Sequence, residues 1–149
     1  MTRFSLVCTV KRMCRLEECT DAPMFSLNGL ECNAKIVSCY DGDTVHALLE
    51  VFGTIHKFHC RLANIDTPEI RTKNENEKKQ GVCARDILSS MILNKIVRLK
   101  CYEFEKYGRL LIDVYLPVEG QNDVHINEWM VTNGYAHVYN GKTKQEWIN

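Results

Sequence analysis

The sequence lacks any net charge, because 19 lysines and arginines balance 19 aspartates and glutamates over 149 residues. Proteins that coat duplex DNA through counterion release are strongly positive, so any nucleic-acid contact is expected to be local. Also missing are the roughly 20 consecutive apolar residues of a membrane-spanning helix, and the apolar core and cleavage site of a secretory signal. We therefore predict an intracellular protein with no membrane partner, of a length that suits a single domain.

Cysteine is present, but not in the number or spacing of a structural scaffold. Eight of the 149 residues are cysteine, below the roughly 8–10% of disulfide-rich domains. The spacing of Cys8, Cys14 and Cys19 matches a zinc knuckle only weakly. We predict reduced thiols, several of which fill positions in the core.

Alternating polar and apolar residues predict a protein built mainly from strands. The strands are expected at residues 34–40, 43–51, 55–65, 95–102 and 109–116, with a last short strand at 135–139. On the third strand Cys60 and Leu62 face the core, whereas Arg61 points away from it. Asp41-Gly42 predicts the first turn, because glycine accepts a positive φ and aspartate bonds its own backbone.

Two helices are predicted among these strands. Apolar residues recur at helical spacing after Gly81, whereas residues 71–80 are so charged that we expect a mobile loop. Asn127 is predicted to cap a helix at 128–133 that Gly134 ends, and residues 142–149 could form a short final helix. The order favours an α+β, mainly β fold, a five-stranded barrel of the oligonucleotide-binding (OB) type with helices packed at its ends.

Two short stretches place acidic residues beside an arginine. They read Asp41-Gly42-Asp43-Thr44-Val45 and Arg61-Leu62-Ala63-Asn64-Ile65-Asp66-Thr67-Pro68-Glu69. Phosphodiester hydrolysis needs cations to meet charge on the phosphoryl oxygens and a base to take a proton from water. Asp43, Asp66 and the Thr67 carbonyl offer hard oxygens for a divalent ion. Glu69 could then face the attacking water, and Arg61 and Arg109 offer forked donors to the phosphate.

Each of these motifs alone is commonplace, since Asp-Gly is usually only a hairpin turn and Asp-Thr-Pro only a capped turn. Their combination is specific. Two further stretches complete it, Lys106-Tyr107-Gly108-Arg109 and Ile126-Asn127-Glu128-x-x-Val131-x-x-Gly134-x-Ala136. In this order and spacing, over residues 35–139, the sequence closely resembles the staphylococcal nuclease (thermonuclease, micrococcal nuclease) family.

The resemblance implies a calcium-dependent nuclease, a hydrolase that binds one Ca²⁺ and acts on DNA and RNA. Single strands would be favoured and 3′-phosphate ends produced. It implies a nuclease-like domain at residues 31–149, preceded by an N-terminal extension of uncertain structure at residues 1–30. A monomer is expected, and no protein partner is implied.

The resemblance also assigns roles by position. Asp43 and Asp66 match the calcium carboxylates of the family, Thr67 its carbonyl ligand and Asp41 a nearby acidic residue of the metal site. The catalytic positions are matched by Glu69, the proposed general base, and by the phosphate-binding pair Arg61 and Arg109. Substrate-binding positions are matched by Lys106, Tyr107 and Tyr139.

Three departures from the family leave alternatives open. The family has a tyrosine pair beside the nucleotide base, and its positions fall near Asn140 and Gly141 here, with Tyr139 one place earlier. The C-terminal helix of the family is cut short. The loop before Lys106 is shorter than in the secreted bacterial enzyme of the family. The chain could instead be a non-catalytic nucleic-acid- or protein-binding module on the same fold. In such a module the acidic and arginine positions would be expected to erode, so their presence here favours catalysis. A metal-free oligonucleotide-binding barrel would leave the acidic cluster unexplained.

Overall fold

The computed structural model describes residues 15–147 of the chain. Eight strands and two helices follow one another after the first 30 residues. They are β1 (Glu31–Cys39), β2 (Thr44–Val51), β3 (Thr54–Leu62), β4 (Ile65–Asp66), α1 (Glu75–Ile92), β5 (Ile96–Phe104), β6 (Leu110–Leu116), β7 (Val124–His125), α2 (Ile126–Thr132) and β8 (His137–Val138). Among the described residues, no helix combines the length and the apolarity needed to cross a membrane.

The long strands close into a barrel. Antiparallel pairing runs in the order β3-β2-β1-β5-β6-β7, and a parallel pairing of β3 with β6 joins the two sides, with Cys60 opposite Leu110 and Leu62 opposite Ile112. Five strands thus form a closed mixed barrel, and α1 and α2 pack against it. The predicted mainly β, OB-like α+β fold is confirmed.

The core lies inside this barrel and beneath α1. Ile36, Leu62, Leu99 and Ile112 are fully buried, and so is Cys60, which fills a core position as predicted. Each aliphatic side chain buried in this way contributes roughly 1.5–3 kcal/mol to stability. The six cysteines within residues 15–147 are free thiols, and Cys8 and Cys14 lie outside the described residues.

Helix α1 begins earlier than its apolar pattern predicts. The prediction of a loop over residues 71–80 is wrong for 75–80, which are helical. Asn74 caps the helix, because its side chain accepts hydrogen bonds from the backbone N–H groups of Asn76 and Glu77. Glu75 and Glu77 lie in the first turn, where negative charge is favoured. The charged residues therefore form an exposed first part of the helix that the apolar period does not reveal.

Two glycines allow α1 to approach the loops that follow β1 and β4. Gly42 does not have a positive φ, so the conformational reason predicted for it is wrong. Instead, a Cβ at this position would lie 2.9 Å from both Ala84 Cβ and Thr67 Cγ2. Within α1, a Cβ at Gly81 would lie 2.6 Å from the Pro68 carbonyl oxygen. Glycine is required at both places for close approach.

Asn127 anchors α2 from within, and its prediction as an N-cap is wrong. The helix starts at Ile126, with His125 at the cap position, whereas Asn127 is buried. Its amide donates to the carbonyls of Ala63 and Ile112 at 3.1 and 3.0 Å and accepts from the Val114 N–H at 3.0 Å. These bonds tie α2 to β6 and to the turn after β3.

The chain beyond α2 turns back to the barrel. Gly134 has a φ of 78° and follows the end of the helix as predicted. The last short strand is also present, because β8 pairs with β4 and places His137 opposite Asp66. The predicted helix at 142–149 is wrong for residues 142–147, which are irregular, and Ile148 and Asn149 lie outside the described residues.

Residues immediately before β1 also pack on the barrel. Leu27 belongs to the core cluster and is 6% exposed. The Gly29 N–H donates to the Cys101 carbonyl at 2.9 Å, and the Ser26 hydroxyl donates to Glu103 at 2.7 Å. The boundary between an N-terminal extension (residues 1–30) and the nuclease-like domain (residues 31–149) stays a prediction. The contacts of Ser26, Leu27 and Gly29 come from the extension side of that boundary.

Candidate active site

One cleft of about 450 Å³ gathers every residue that the sequence predicts for the site. The ten are Asp41, Asp43, Arg61, Asp66, Thr67, Glu69, Lys106, Tyr107, Arg109 and Tyr139. They come from the turn before β2, the end of β3, β4 and the loop after it, the turn from β5 to β6, and the segment after β8. Glu105 and Lys144 also line the cleft, and neither was predicted.

Arg61 lies at the base of the cleft between two aspartates. Its Nη2 atom is 3.0 Å from Asp43 Oδ2 and 3.2 Å from Asp66 Oδ1. All three residues are buried, with 9%, 6% and 4% of Arg61, Asp43 and Asp66 exposed. Strand alternation explains the arrangement, because Cys60 and Leu62 face the core and Arg61 must then face outward. Buried carboxylates are tolerated here because a buried cation lies between them.

Burial disfavours the charged form of Asp43 even with Arg61 beside it. Burial raises the pKa of its carboxyl to about 7, although Arg61 lowers it, and the nearby carboxylate of Asp41 raises it further. Asp41 is held in place by the Asp43 N–H, which donates to Asp41 Oδ1 at 3.2 Å. A further cation at this wall of the cleft would therefore stabilise the ionised form of Asp43.

Arg109 is held by a carboxylate that the sequence reasoning missed. Its Nε and Nη2 atoms both donate to Glu105, the latter at 3.1 Å. The Nη1 atom lies 3.3 Å from Thr44 Oγ1, and that hydroxyl donates to Asp43 Oδ1 at 3.1 Å. The spacing of four residues between Glu105 and Arg109 was a usable signal, because a tight turn between two strands brings such residues together.

Glu69 and Lys144 form the outer part of the site. Lys144 Nζ is 2.7 Å from Glu69 Oε1 and 3.2 Å from Asp66 Oδ1. Both side chains are about half exposed, at 52% for Lys144 and 55% for Glu69. A continuous series of contacts thus runs from Arg109 through Thr44, Asp43, Arg61, Asp66 and Lys144 to Glu69. No sequence signal indicated Lys144, which belongs to no motif.

Aromatic rings lie at the rim of the cleft. The Tyr139 ring centroid is 5.4 Å from Arg61 Cζ, and the Tyr139 N–H donates to the Asn64 carbonyl at 2.8 Å. Tyr107 is 71% exposed, with Lys106 Nζ 4.9 Å from its ring centroid. Both rings lie beside a cation, and Tyr107 is the more exposed of the two.

Comparison with known proteins agrees with this geometry. The family model described as "Staphylococcal nuclease homologue" matches residues 59–147, more than half of the chain. The chain belongs to the staphylococcal nuclease family. The family resemblance predicted from the motifs is thereby confirmed.

Relatives within the staphylococcal nuclease family are named as nucleases. The chain is 35% identical over 109 residues to an "Uncharacterized endonuclease" of Escherichia coli O157:H7, covering 72% of this chain and 61% of that protein. It is 30% identical over 128 residues to the "Probable staphylococcal-like nuclease CAN3" of Oryza sativa subsp. japonica, covering 86% and 28%. It is 32% identical over 109 residues to the "Micrococcal nuclease" of Shigella flexneri, covering 70% and 57%. The chain therefore spans less than two thirds of each of these relatives, and their names support a hydrolase of the nuclease type.

The family resemblance implies calcium, which prefers oxygen ligands. Between residues 15 and 147, no group of three or more histidine, cysteine, aspartate or glutamate side chains converges as a metal site. Asp43 and Asp66 do line the same cleft as Thr67, and calcium also accepts carbonyl and water oxygens as ligands. The residues therefore fit a hard divalent cation in their chemistry, with part of the ligand set left to backbone and water.

Proposed function

We propose that this protein is a calcium-dependent nuclease that hydrolyses phosphodiester bonds of DNA and RNA. Single strands are its preferred substrate, and its products carry 3′-phosphate ends. The observation that supports this function is the convergence of two arginines and three carboxylates (Asp43, Asp66 and Glu69) on one open cleft. Membership of a family with nuclease-named relatives supports the same reaction class.

The buried wall of the cleft would hold the cation. Asp43, Asp66 and the Thr67 carbonyl would bind a single Ca²⁺ ion, and the Asp41 carboxylate beside them accepts a hydrogen bond from the Asp43 N–H. When bound, the ion supplies positive charge beside the phosphate. Arg61 keeps the two aspartates together through one nitrogen, Nη2.

The other residues act on the phosphate and on water. Glu69, at the exposed side of the cleft, takes the proton from the attacking water, which is a role for a positioned carboxylate. Arg61 and Arg109 donate hydrogen bonds to the phosphoryl oxygens and stabilise the charge that develops there. Lys106 and Tyr107 contact a terminal phosphate, and Tyr139 lies beside a base.

A cleavage assay with defined ends tests this proposal. The purified chain is incubated with labelled single-stranded DNA or RNA in calcium, in magnesium, or with a chelator of calcium. Cleavage is expected in calcium alone, with 3′-phosphate ends identified by mass spectrometry. A folded protein that binds the strand but cuts it under none of these conditions would be the alternative, a non-catalytic binding module.

Two substitutions test the assigned roles. Glu69→Gln removes the base and Arg109→Ala removes a donor to the transition state, so each should lower kcat by about 10²–10³-fold. Glu50→Gln on β2 and Arg85→Ala on α1 are matched controls, because neither residue lines the cleft. Both controls should cleave at the wild-type rate. Near-full activity of Glu69→Gln or Arg109→Ala, with melting curves like that of the wild type, would remove that residue from the mechanism.

A further inference from the structure

The segment of residues 140–147, here called the strap, crosses from the end of β8 to the carboxylates of the cleft. At its start the Tyr139 N–H donates to the Asn64 carbonyl at 2.8 Å. At its other end the Trp147 ring packs on His137, with 3.8 Å between the ring centroids. The strap has no regular secondary structure between these two attachments. The strap is therefore attached to the rest of the fold at both ends.

Lys144, in the middle of the strap, contacts the carboxylates that the proposed function assigns to the cation and to the base. Its ammonium is 3.2 Å from Asp66 Oδ1 and 2.7 Å from Glu69 Oε1. Asp66 Oδ1 also accepts from Arg61 at 3.2 Å. One oxygen of a buried aspartate thus has two protein cations beside it before any ion enters.

We propose that Lys144 is an internal competitor for the divalent cation, so that the strap sets the affinity of the cleft for that ion. This inference depends on the proposed function for the identity of the site. A divalent ion bound by Asp66 would lie close to the Lys144 ammonium and repel it. Ion binding therefore requires the lysine to leave. The half-exposed position of Lys144 gives its side chain a path into solvent.

The same contact also suggests a different role, in which Lys144 positions Glu69 for catalysis. The two roles predict opposite effects of removing the charge. A competitor lowers cation affinity, so its loss strengthens cation binding. A positioning residue leaves cation binding unchanged, and its loss lowers kcat at saturating calcium.

Calorimetric titration of the metal-free protein with calcium, in the absence of nucleic acid, separates the two. Lys144→Met keeps most of the side-chain volume and removes the charge, and Lys144→Arg keeps the charge. Lys142→Met is the matched control, because Lys142 is an exposed lysine of the same strap that does not line the cleft. Lys144→Met should bind calcium about tenfold more tightly, as expected if the lysine leaves the site open about one-tenth of the time. Lys144→Arg and Lys142→Met should bind like the wild type.

Several results would overturn the inference. Unchanged or weaker calcium binding by Lys144→Met does so, and so does an equal gain in Lys142→Met. If kcat at saturating calcium falls while the Kd is unchanged, Lys144 positions Glu69 instead. The titration contains no substrate, so tighter binding by Lys144→Met supports the inference even where cleavage is absent and the proposed function fails. Absence of calcium binding in both the wild type and Lys144→Met overturns the inference directly.

Discussion

Asp66 has a central position among the residues of the cleft. It is 4% exposed, and its Oδ1 atom is shared by Arg61 and Lys144. Its backbone is fixed by the pairing of β4 with β8, which places it opposite His137. A third cation bound by this carboxylate would be repelled by both cationic neighbours, so its binding is favoured when one of them moves away. Arg61 is buried and Lys144 is half exposed, so the lysine is the one that can exchange.

Cys60 gives a prediction that depends on a single buried thiol. Burial, with the neighbouring Cys101, raises its pKa from 9.0 to about 12, and it is fully buried. The thiolate is the reactive species, so Cys60 should resist iodoacetamide at about pH 8 to 9 in the folded protein. Cys83 is exposed on α1 and should be alkylated. Mass spectrometry of the peptides, with and without denaturant, measures both.

The raised pKa of Cys60 also determines how the free energy of unfolding changes with pH. Between pH 9.0 and about 12 the folded state keeps the Cys60 proton that the unfolded state releases, so this contribution to stability is lost as the pH rises through that window. The free energy of unfolding of the wild type should therefore fall relative to that of Cys60→Ala. Rapid alkylation of Cys60 in the folded protein would contradict the burial on which both expectations depend.

At the level of elements, strands were more predictable than helix ends. Alternation correctly gave the opposite faces of Cys60 and Arg61, because a strand has only two faces, but the strand predicted at 55–65 ends at Leu62 and Ile65–Asp66 pair with β8 instead. The start of α1 was missed, because it depends on a cap at Asn74 and on charged residues without apolar period. Asn127 was misassigned for a related reason. Its side chain bonds to β6 and to the turn after β3, and such tertiary contacts leave no local pattern.

For the candidate site, too, sequence reasoning assigned some residues of the cleft and missed others. The ten residues assigned from motif order and family resemblance are among the fourteen that line the cleft, and their roles stay a prediction. Glu105 and Lys144 were missed, although both contact predicted residues directly. Lys144 reaches Glu69 from the far end of the chain, through a segment with neither periodicity nor a motif. Contacts of this kind depend on how the strap returns to the barrel, which is set by the pairing of β8 with β4.

Helix α1 gives a prediction at the level of elements. Alanine normally stabilises a helix by about 1 kcal/mol relative to glycine. At Gly81, however, the added Cβ would meet the Pro68 carbonyl oxygen at 2.6 Å, so the helix or the loop must shift. Gly81→Ala should lower the free energy of unfolding by about 1–3 kcal/mol. It should also slow cleavage, since Glu69 directly follows Pro68.

Urea unfolding and the cleavage assay measure the two effects of Gly81→Ala. Cys83→Ala is the matched control on the exposed side of the same helix, and it should leave both quantities close to those of the wild type. A Gly81→Ala protein that is more stable than the wild type and fully active would show that α1 does not hold the loop in place.

The molecule as a whole has no net charge, whereas basic side chains are concentrated in the cleft. Lysines and arginines equal aspartates and glutamates over the full sequence. Four basic side chains nevertheless line the cleft, namely Arg61, Lys106, Arg109 and Lys144. A balanced surface gives little long-range attraction for a polyanion. Substrate binding should therefore depend on a few local phosphate contacts.

This contrast predicts a shallow salt dependence of nucleic-acid binding. Single-stranded binding loses affinity with a log–log slope of about −0.7 per phosphate contact. Four basic side chains among residues 15–147 line the cleft, so the slope expected from these contacts is no steeper than about −3. The measurement uses fluorescence anisotropy of a short single-stranded DNA with the Glu69→Gln protein, at fixed calcium and varied potassium chloride.

Adding Arg109→Ala should reduce the slope by about 0.7. Adding Lys57→Ala, at an exposed residue of β3 outside the cleft, should leave it unchanged. A slope of about −6, or an equal effect of both alanines, would instead indicate binding spread over the surface, because such slopes require many more phosphate contacts than the cleft can make.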